Sequence, residues 1–74
     1  MPRVLHLLKT ADPGLAVTVI ARQAAAGDAV TVALLPGAGA PALPPGVTAQ
    51  RVPDELSYPA LLDLVFHADH VITW

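Results

Sequence analysis

Two short, nearly continuous apolar runs constrain the fold of this chain more than any other feature. Val4–Leu8 and Ala29–Leu35 contain few polar side chains, and neither run alternates strictly between polar and apolar residues. A run of this kind is typical of a β-strand that is buried on both faces, as strands are in parallel sheets. Parallel neighbours need a crossover connection between them, which is usually a helix. The sequence therefore predicts a strand, a helix and a second strand in the first half of the chain.

The segment between the two runs has helix signals at both ends. Asp12 is a favourable N-cap, and Pro13 is tolerated at the first helical position because its missing N–H would have no partner there. Apolar residues recur at helical spacing from about Gly14 to Ala26, and Gly27 stands where a left-handed C-cap is expected. The first half of the chain is therefore predicted to be a βαβ unit.

The second half of the chain predicts two more strands and one more helix. Pro36–Pro45 is a loop by composition, and Val47–Val52 is expected near a sheet edge because it includes polar residues. Ser57 suits the N-cap of an apolar helix, and Val71–Trp74 forms a last short strand. The order β-α-β-loop-β-α-β predicts an α/β fold with a small, mostly parallel four-stranded sheet. Because only two full helices fit, one face of the sheet is expected to be thinly covered.

Length and composition limit the function classes. The chain has 74 residues, which allows a single domain, 1–74, and domains of this size often gain stability by association. A net charge of -2 argues against direct nucleic-acid binding, and the absence of cysteine leaves no thiolate, disulfide or cysteine–zinc site. Only 14% of the residues are charged, so apolar surface is expected to be covered by a partner. No apolar run is long enough to cross a membrane and the start does not resemble a signal peptide, so we expect a cytoplasmic protein.

Few residues suit catalysis or metal binding. Ser57 is the only serine, and a helix cap explains it better than a nucleophile. His67 and His70 stand three apart, as metal ligands on a helix can, but His70 is expected beyond the helix end and two histidines do not close a site. Gly37 and Gly39 lack the other residues of a phosphate-binding motif, which favours a flexible connector. We expect no enzyme activity of the chain itself, no metal and no cofactor.

Three other places are candidates for binding. His6 lies inside the first strand, where a neutral histidine bonded to a neighbour is expected unless an interface exposes it. Lys9, Thr10 and Asp12 follow that strand and precede a helix, where open α/β sheets bind ligands, although a solvated turn is the simpler explanation. His6 and Lys9 are expected near the reversal of strand order, provided that the last strand lies beside the first. Trp74 ends an apolar strand and is expected to be an anchor, in its own fold or in a partner.

Several segments of the chain form an ordered pattern, namely Val4–Leu7, Gly27–Val30, Tyr58–Val65 and Ala68–Trp74. In this pattern both ends of the chain resemble the DsrH/TusB family of small subunits in DsrE-type sulfur-relay complexes. The resemblance implies a DsrE/DsrH-like layered fold and a subunit that packs beside cysteine-bearing DsrE-like partners. Such complexes pass persulfide sulfur toward tRNA 2-thiouridine synthesis or sulfur oxidation. The segment Leu35–Gly39 departs from the family's pattern. The missing cysteine implies a non-catalytic role, because only a thiolate accepts persulfide sulfur.

Gly27–Val32 and Leu43–Val47 form a second pattern. These two segments resemble the N-terminal half-domain of GT-B glycosyltransferases. Because 74 residues leave no room for a sugar-nucleotide domain, this resemblance implies a small-ligand-binding or structural α/β domain rather than a complete enzyme.

The sequence as a whole favours a chain that acts by association. We expect protein partners, namely cysteine-bearing DsrE-like subunits, further copies of the chain, or both, and neither nucleic acid nor membrane as a direct partner. The expected surface comprises the sheet edge near Gln50 and Arg51 and the stretch from His67 to Trp74. The alternative is a small-ligand site at the start of the first helix.

Overall fold

The computed structural model describes residues 2–12, 14–39 and 42–74 of the chain. These residues form six elements in the predicted order, which confirms an α/β fold. The predicted strand bounds lie within one residue of the observed ones. The elements are β1 (Arg3–Leu8), α1 (Gly14–Ala25), β2 (Ala29–Leu34), β3 (Thr48–Arg51), α2 (Tyr58–His67) and β4 (His70–Thr73).

The four strands form one sheet in which every neighbouring pair is parallel. Their order across the sheet is β3-β2-β1-β4, so the sheet expected to be mostly parallel is wholly parallel. The two apolar runs supply the central strands, and the more polar β3 lies at an edge, as its composition predicts. The prediction that β4 begins at Val71 is wrong by one residue. The N–H of Asp69 donates to the carbonyl oxygen of Arg3 at 2.8 Å, so His70 already pairs with Val4.

The two helices cover opposite faces of the sheet. Even-numbered residues of β1 and β2 point to one face, where Ala16 and Ile20 of α1 pack against them. Odd-numbered residues such as Leu5 and Ala33 point to the other face, where α2 and Leu56 pack. The result is three layers: α1, sheet and α2. No residue of α2 is fully buried, so the α2 face is the thinly covered one.

The end of α1 follows from the one glycine at its C-terminus. Gly27 has a φ of +92°, a left-handed conformation that glycine adopts without steric cost. Its N–H donates to the carbonyl oxygen of Ala24, and the N–H of Asp28 donates to that of Gln23, both at 3.1 Å. These two bonds satisfy carbonyl groups of the last helical turn and confirm the predicted C-cap.

The starts of the two helices agree with the sequence where the structure describes them. Asp12 Oδ1 accepts a long hydrogen bond, 3.5 Å, from the N–H of Gly14, while the predicted position of Pro13 lies outside the described residues. Ser57 accepts a hydrogen bond from the N–H of Ala60 at 3.3 Å and caps α2, as predicted. Among the described residues, neither helix combines the length and the apolar content that a membrane crossing requires.

Candidate functional site

The carboxyl ends of β1 and β4 mark the point where the strand order reverses. From β1 the chain proceeds to β2 on one side, and later it returns from β3 to β4 on the other side of β1. Ligands of open α/β sheets bind in the crevice at such a reversal. The last strand does lie beside the first, which is the arrangement in which the sequence predicts His6 and Lys9 near this reversal. Thr10 and Asp12 follow β1, and Trp74 follows β4.

The polar residues after β1 form a turn with an internal hydrogen bond. Thr10 Oγ1 accepts a hydrogen bond from the N–H of Asp12 at 3.2 Å. The carbonyl oxygen of Thr10 accepts another from the N–H of Gly39 at 3.1 Å, which joins this turn to the loop after β2. Lys9 and Asp12 are exposed, and Thr10 is half-buried. The arrangement is the turn that the sequence offers as the simpler explanation, and it stands at the reversal point.

His6 lies in the middle of the sheet and is buried, with 0% of its surface exposed. Its Nδ1 lies 2.9 Å from Trp74 Nε1, and its Nε2 lies 2.6 Å from Gln23 Oε1. An indole nitrogen can only donate a hydrogen bond, so Nδ1 must be the acceptor. The ring hydrogen of the neutral imidazole then lies on Nε2, which donates to Gln23. The neutral histidine bonded to neighbours that the sequence predicts is thus present, with both ring nitrogens occupied.

Trp74 is anchored within its own fold. Its indole ring stacks on the His6 ring, with centroids 6.1 Å apart and planes inclined by 15°. Its backbone N–H donates to the carbonyl oxygen of Leu7 at 2.9 Å. The side chain is half-buried and packs against the hydrophobic core on the α1 side of the sheet. Of the two positions that the sequence leaves open for this anchor, the structure shows the internal one.

The His6–Gln23–Trp74 triad joins three elements rather than forming a reactive centre. It connects β1, α1 and the end of β4 through two side-chain hydrogen bonds. Every buried side-chain nitrogen or oxygen has a partner in the part of the chain that the structure describes. A histidine with both nitrogens bonded inside the core has no free atom to offer a substrate. We therefore assign the triad a structural role.

Gln23 is the member of this triad that the sequence reasoning missed. Ala16, Ile20 and Gln23 are spaced four and three apart, which puts them on one stripe of a helix. A glutamine that continues a buried stripe was the available signal, because such an amide needs a polar partner across the core.

His67 and His70 lie on different elements of the fold. His67 is exposed in the last turn of α2, and its Nδ1 lies 2.7 Å from the carbonyl oxygen of Asp63. The helix ends there because Ala68 has an extended backbone, so His70 is the first residue of β4. Within residues 2–12, 14–39 and 42–74, no group of three or more histidine, aspartate or glutamate side chains is placed to hold a metal ion.

The two regions expected to bind a partner lie at opposite edges of the sheet. Gln50 and Arg51 belong to β3 at one edge, whereas His67–Trp74 includes β4 at the other. The central strands β2 and β1 separate them. They are therefore two surfaces rather than one.

A row of apolar side chains on α2 is exposed. Tyr58, Leu62 and Phe66 stand four residues apart on one side of the helix, and their surfaces are 54%, 58% and 82% exposed. None of the three was singled out from the sequence as a binding residue. The available signal was that α2 is apolar over more than half of its circumference, which is more than one sheet face can cover.

An open cavity of about 270 Å³ lies at the amino ends of β1 and β2, beneath the last turn of α2. Arg3, Leu5, Thr31, Leu64 and His67 are among the residues that line it. Of the stretch from His67 to Trp74 that the sequence predicts as a binding surface, His67 and Ala68 line this cavity. The cavity is at the opposite end of the sheet from the reversal of strand order.

Comparison with known proteins does not assign this site. The chain matches no protein-family model, no curated protein and no solved structure.

Proposed function

We propose that the chain is a non-catalytic subunit of a DsrE-type sulfur-relay complex in the cytoplasm, and that it acts by binding a cysteine-bearing partner. The observation that carries this proposal is the exposed apolar row on α2. Exposed apolar patches of neighbouring large side chains are typical of protein interaction sites. The tyrosine and phenylalanine of this row belong to the residue types enriched at such interfaces.

The internal contacts support association rather than chemistry by this chain. His6, its only buried polar side chain among the described residues, holds the fold together. The sequence contains no cysteine, and a persulfide can be carried only on a thiolate. The sulfur-carrying thiol of the proposed complex therefore belongs to the partner. The resemblance of both chain ends to the DsrH/TusB family supports this division of labour. It implies that the complex passes sulfur toward tRNA 2-thiouridine synthesis or toward sulfur oxidation.

The charges around the α2 row define the chemistry of the partner surface. Asp63 neighbours Phe66 on the helix, and Asp54 and Glu55 lie in the turn that precedes α2. All three carboxylates are exposed. The surface that fits this row is an apolar patch with basic side chains at its rim, since interfaces are arranged with complementary potentials.

Replacing Phe66 with aspartate is expected to remove this partner without unfolding the chain. An aromatic anchor of an interface typically contributes about 2 to 4 kcal/mol, which corresponds to a loss of affinity of roughly 30-fold or more. The fold should be unchanged because Phe66 is 82% exposed. The experiment is affinity purification of the tagged chain from its native cytoplasm, with mass spectrometry and alkylation of persulfides to identify a stoichiometric cysteine-bearing DsrE-like partner.

Leu15→Asp is the matched control, because Leu15 is 70% exposed on α1, on the other face of the sheet. It should keep the partner that Phe66→Asp loses. Recovery of the chain without any cysteine-bearing partner would contradict the proposal. So would a Phe66→Asp variant that retains the partner in full.

A second candidate is a small-ligand-binding domain, as the glycosyltransferase resemblance implies. The observation in its favour is the position of Lys9, Thr10 and Asp12 at the reversal of strand order, directly before α1. This candidate predicts that phosphate or a nucleotide raises the melting temperature by roughly 10 to 20 degrees. A ligand at about 100 times its Kd adds about 2.7 kcal/mol to the free energy of unfolding, and each kcal/mol shifts the melting temperature of a domain this small by about 4 to 8 degrees. Thr10→Val should abolish the rise, and a panel of anions without effect on the wild type would exclude the candidate.

A further inference from the structure

The outer edge of β4 is unpaired in the part of the chain that the structure describes. β4 bonds to β1 on its inner side, where the N–H of Trp74 donates to the carbonyl oxygen of Leu7. Alternate residues of a strand direct their backbone groups to the same neighbour. His70 and Ile72 therefore face β1, and the N–H and C=O groups of Val71 and Thr73 point outward.

The opposite edge of the sheet is protected, whereas this one is not. β3 carries the charged Arg51, and prolines stand close to it on either side at positions 45 and 53. Charged residues and prolines are the devices by which edge strands avoid pairing with other chains. β4 has neither within His70–Thr73, and three of its four residues are β-branched. Val71 is 41% exposed on the α2 face of this edge, although it is apolar.

We propose that β4 pairs with β4 of a second copy of the chain, antiparallel and about a twofold axis, to form a continuous eight-stranded sheet. The outward groups of Val71 and Thr73 are self-complementary in this arrangement. With Ile72 on the axis, Val71 of each copy stands opposite Thr73 of the other, and each pair exchanges two N–H···O bonds. The interface is isologous and closes after two copies.

The side chains at this register suit the pairing. The two copies of Ile72 face each other on the α1 side, where each is already half-buried. His70 of one copy stands opposite Trp74 of the other, so one aromatic pair is added at each end. No two like-charged side chains stand opposite each other, because no side chain from His70 to Trp74 carries a carboxylate or an amine. A second copy therefore pairs the outward N–H and C=O groups of this edge and places compatible side chains opposite each other.

The test combines association with hydrogen exchange of single amides. Sedimentation equilibrium between about 10 µM and about 1 mM, the range of weak association, should show a species of twice the 7.6 kDa chain mass. In the same range, NMR-detected exchange of the Val71 and Thr73 amides should be slow at high concentration and fast after dilution. Exchange of the Ile72 amide should not depend on concentration, because that group is bonded to β1.

Val71→Lys should raise the dimer dissociation constant at least about tenfold, since a lysine on an edge strand opposes pairing. Val71→Thr, which keeps a β-branched and uncharged side chain, should leave the dimer intact and shows that the site tolerates substitution. Leu62→Lys on the α2 row should also leave it intact, so failure here is distinguishable from failure of the proposed sulfur-relay role. A chain that stays monomeric at about 1 mM would overturn the inference. A dimer whose Val71 and Thr73 amides exchange equally fast at all concentrations would overturn it too.

Discussion

Replacing His6 with alanine is expected to lower the free energy of unfolding by about 3 to 5 kcal/mol. The substitution removes the acceptor of the Trp74 indole N–H and the donor to Gln23. Each buried polar group left without a partner costs about 1 to 3 kcal/mol, and the space vacated by the ring adds a cavity term. The total free energy of unfolding of a domain this size is only about 4 to 11 kcal/mol, so the variant is close to unfolding.

Urea unfolding followed by far-ultraviolet circular dichroism measures this loss. His67→Ala is the matched control, because His67 is exposed and bonds only to a carbonyl group of its own helix. It should change the free energy of unfolding by no more than about 0.5 kcal/mol. A loss below about 1 kcal/mol for His6→Ala would contradict the structural role of the triad.

His6→Asn separates the two hydrogen bonds of the triad. The asparagine Oδ1 can take the place of Nδ1 and accept from Trp74, whereas no atom replaces Nε2. The variant should therefore lie between the wild type and His6→Ala in stability. The double variant His6→Ala/Trp74→Phe should lose clearly less free energy of unfolding than the sum of the two single losses. The reason is that residues that share a hydrogen bond are coupled by about 0.5 to 3 kcal/mol.

Leu8→Ala is expected to destabilise the fold by about 2 to 5 kcal/mol. Leu8 is fully buried at the end of β1, in the core between the sheet and α1. The same atoms are removed by Leu15→Ala, but Leu15 is 70% exposed on α1 and alanine suits a helix well. The control should therefore remain within about 0.5 kcal/mol of the wild type. Equal losses for the two variants in urea unfolding would show that the α1-side core is not packed as described.

The strands and helix ends could be predicted because their signals are local. Val4–Leu8 and Ala29–Leu35 have the apolar density of central strands, and Gly27 and Ser57 have the chemistry of helix caps. The position of β3 at an edge followed from its polar residues. These features depend on a few neighbouring residues, so the spacing and type of those residues are sufficient to predict them.

The contacts between distant elements could not be predicted in the same way. The spacing of apolar residues gives the buried face of α1, but not which strand residue Gln23 reaches. The start of β4 depends on Asp69 bonding to Arg3, which is 66 positions away in the chain. The exposed α2 row follows from how much of the helix one sheet can cover, which only the assembled layers decide. The DsrE/DsrH-like layering and the sulfur-relay role remain predictions.

The position of Trp74 makes its fluorescence sensitive to the state of β4. It is the single tryptophan of the chain, and its indole is held against the His6 ring while its backbone bonds to β1. Any event that lifts β4 from the sheet must separate these two rings and expose the indole to water. Its intrinsic fluorescence is therefore a native optical reporter of one edge of the sheet, and it needs no added label.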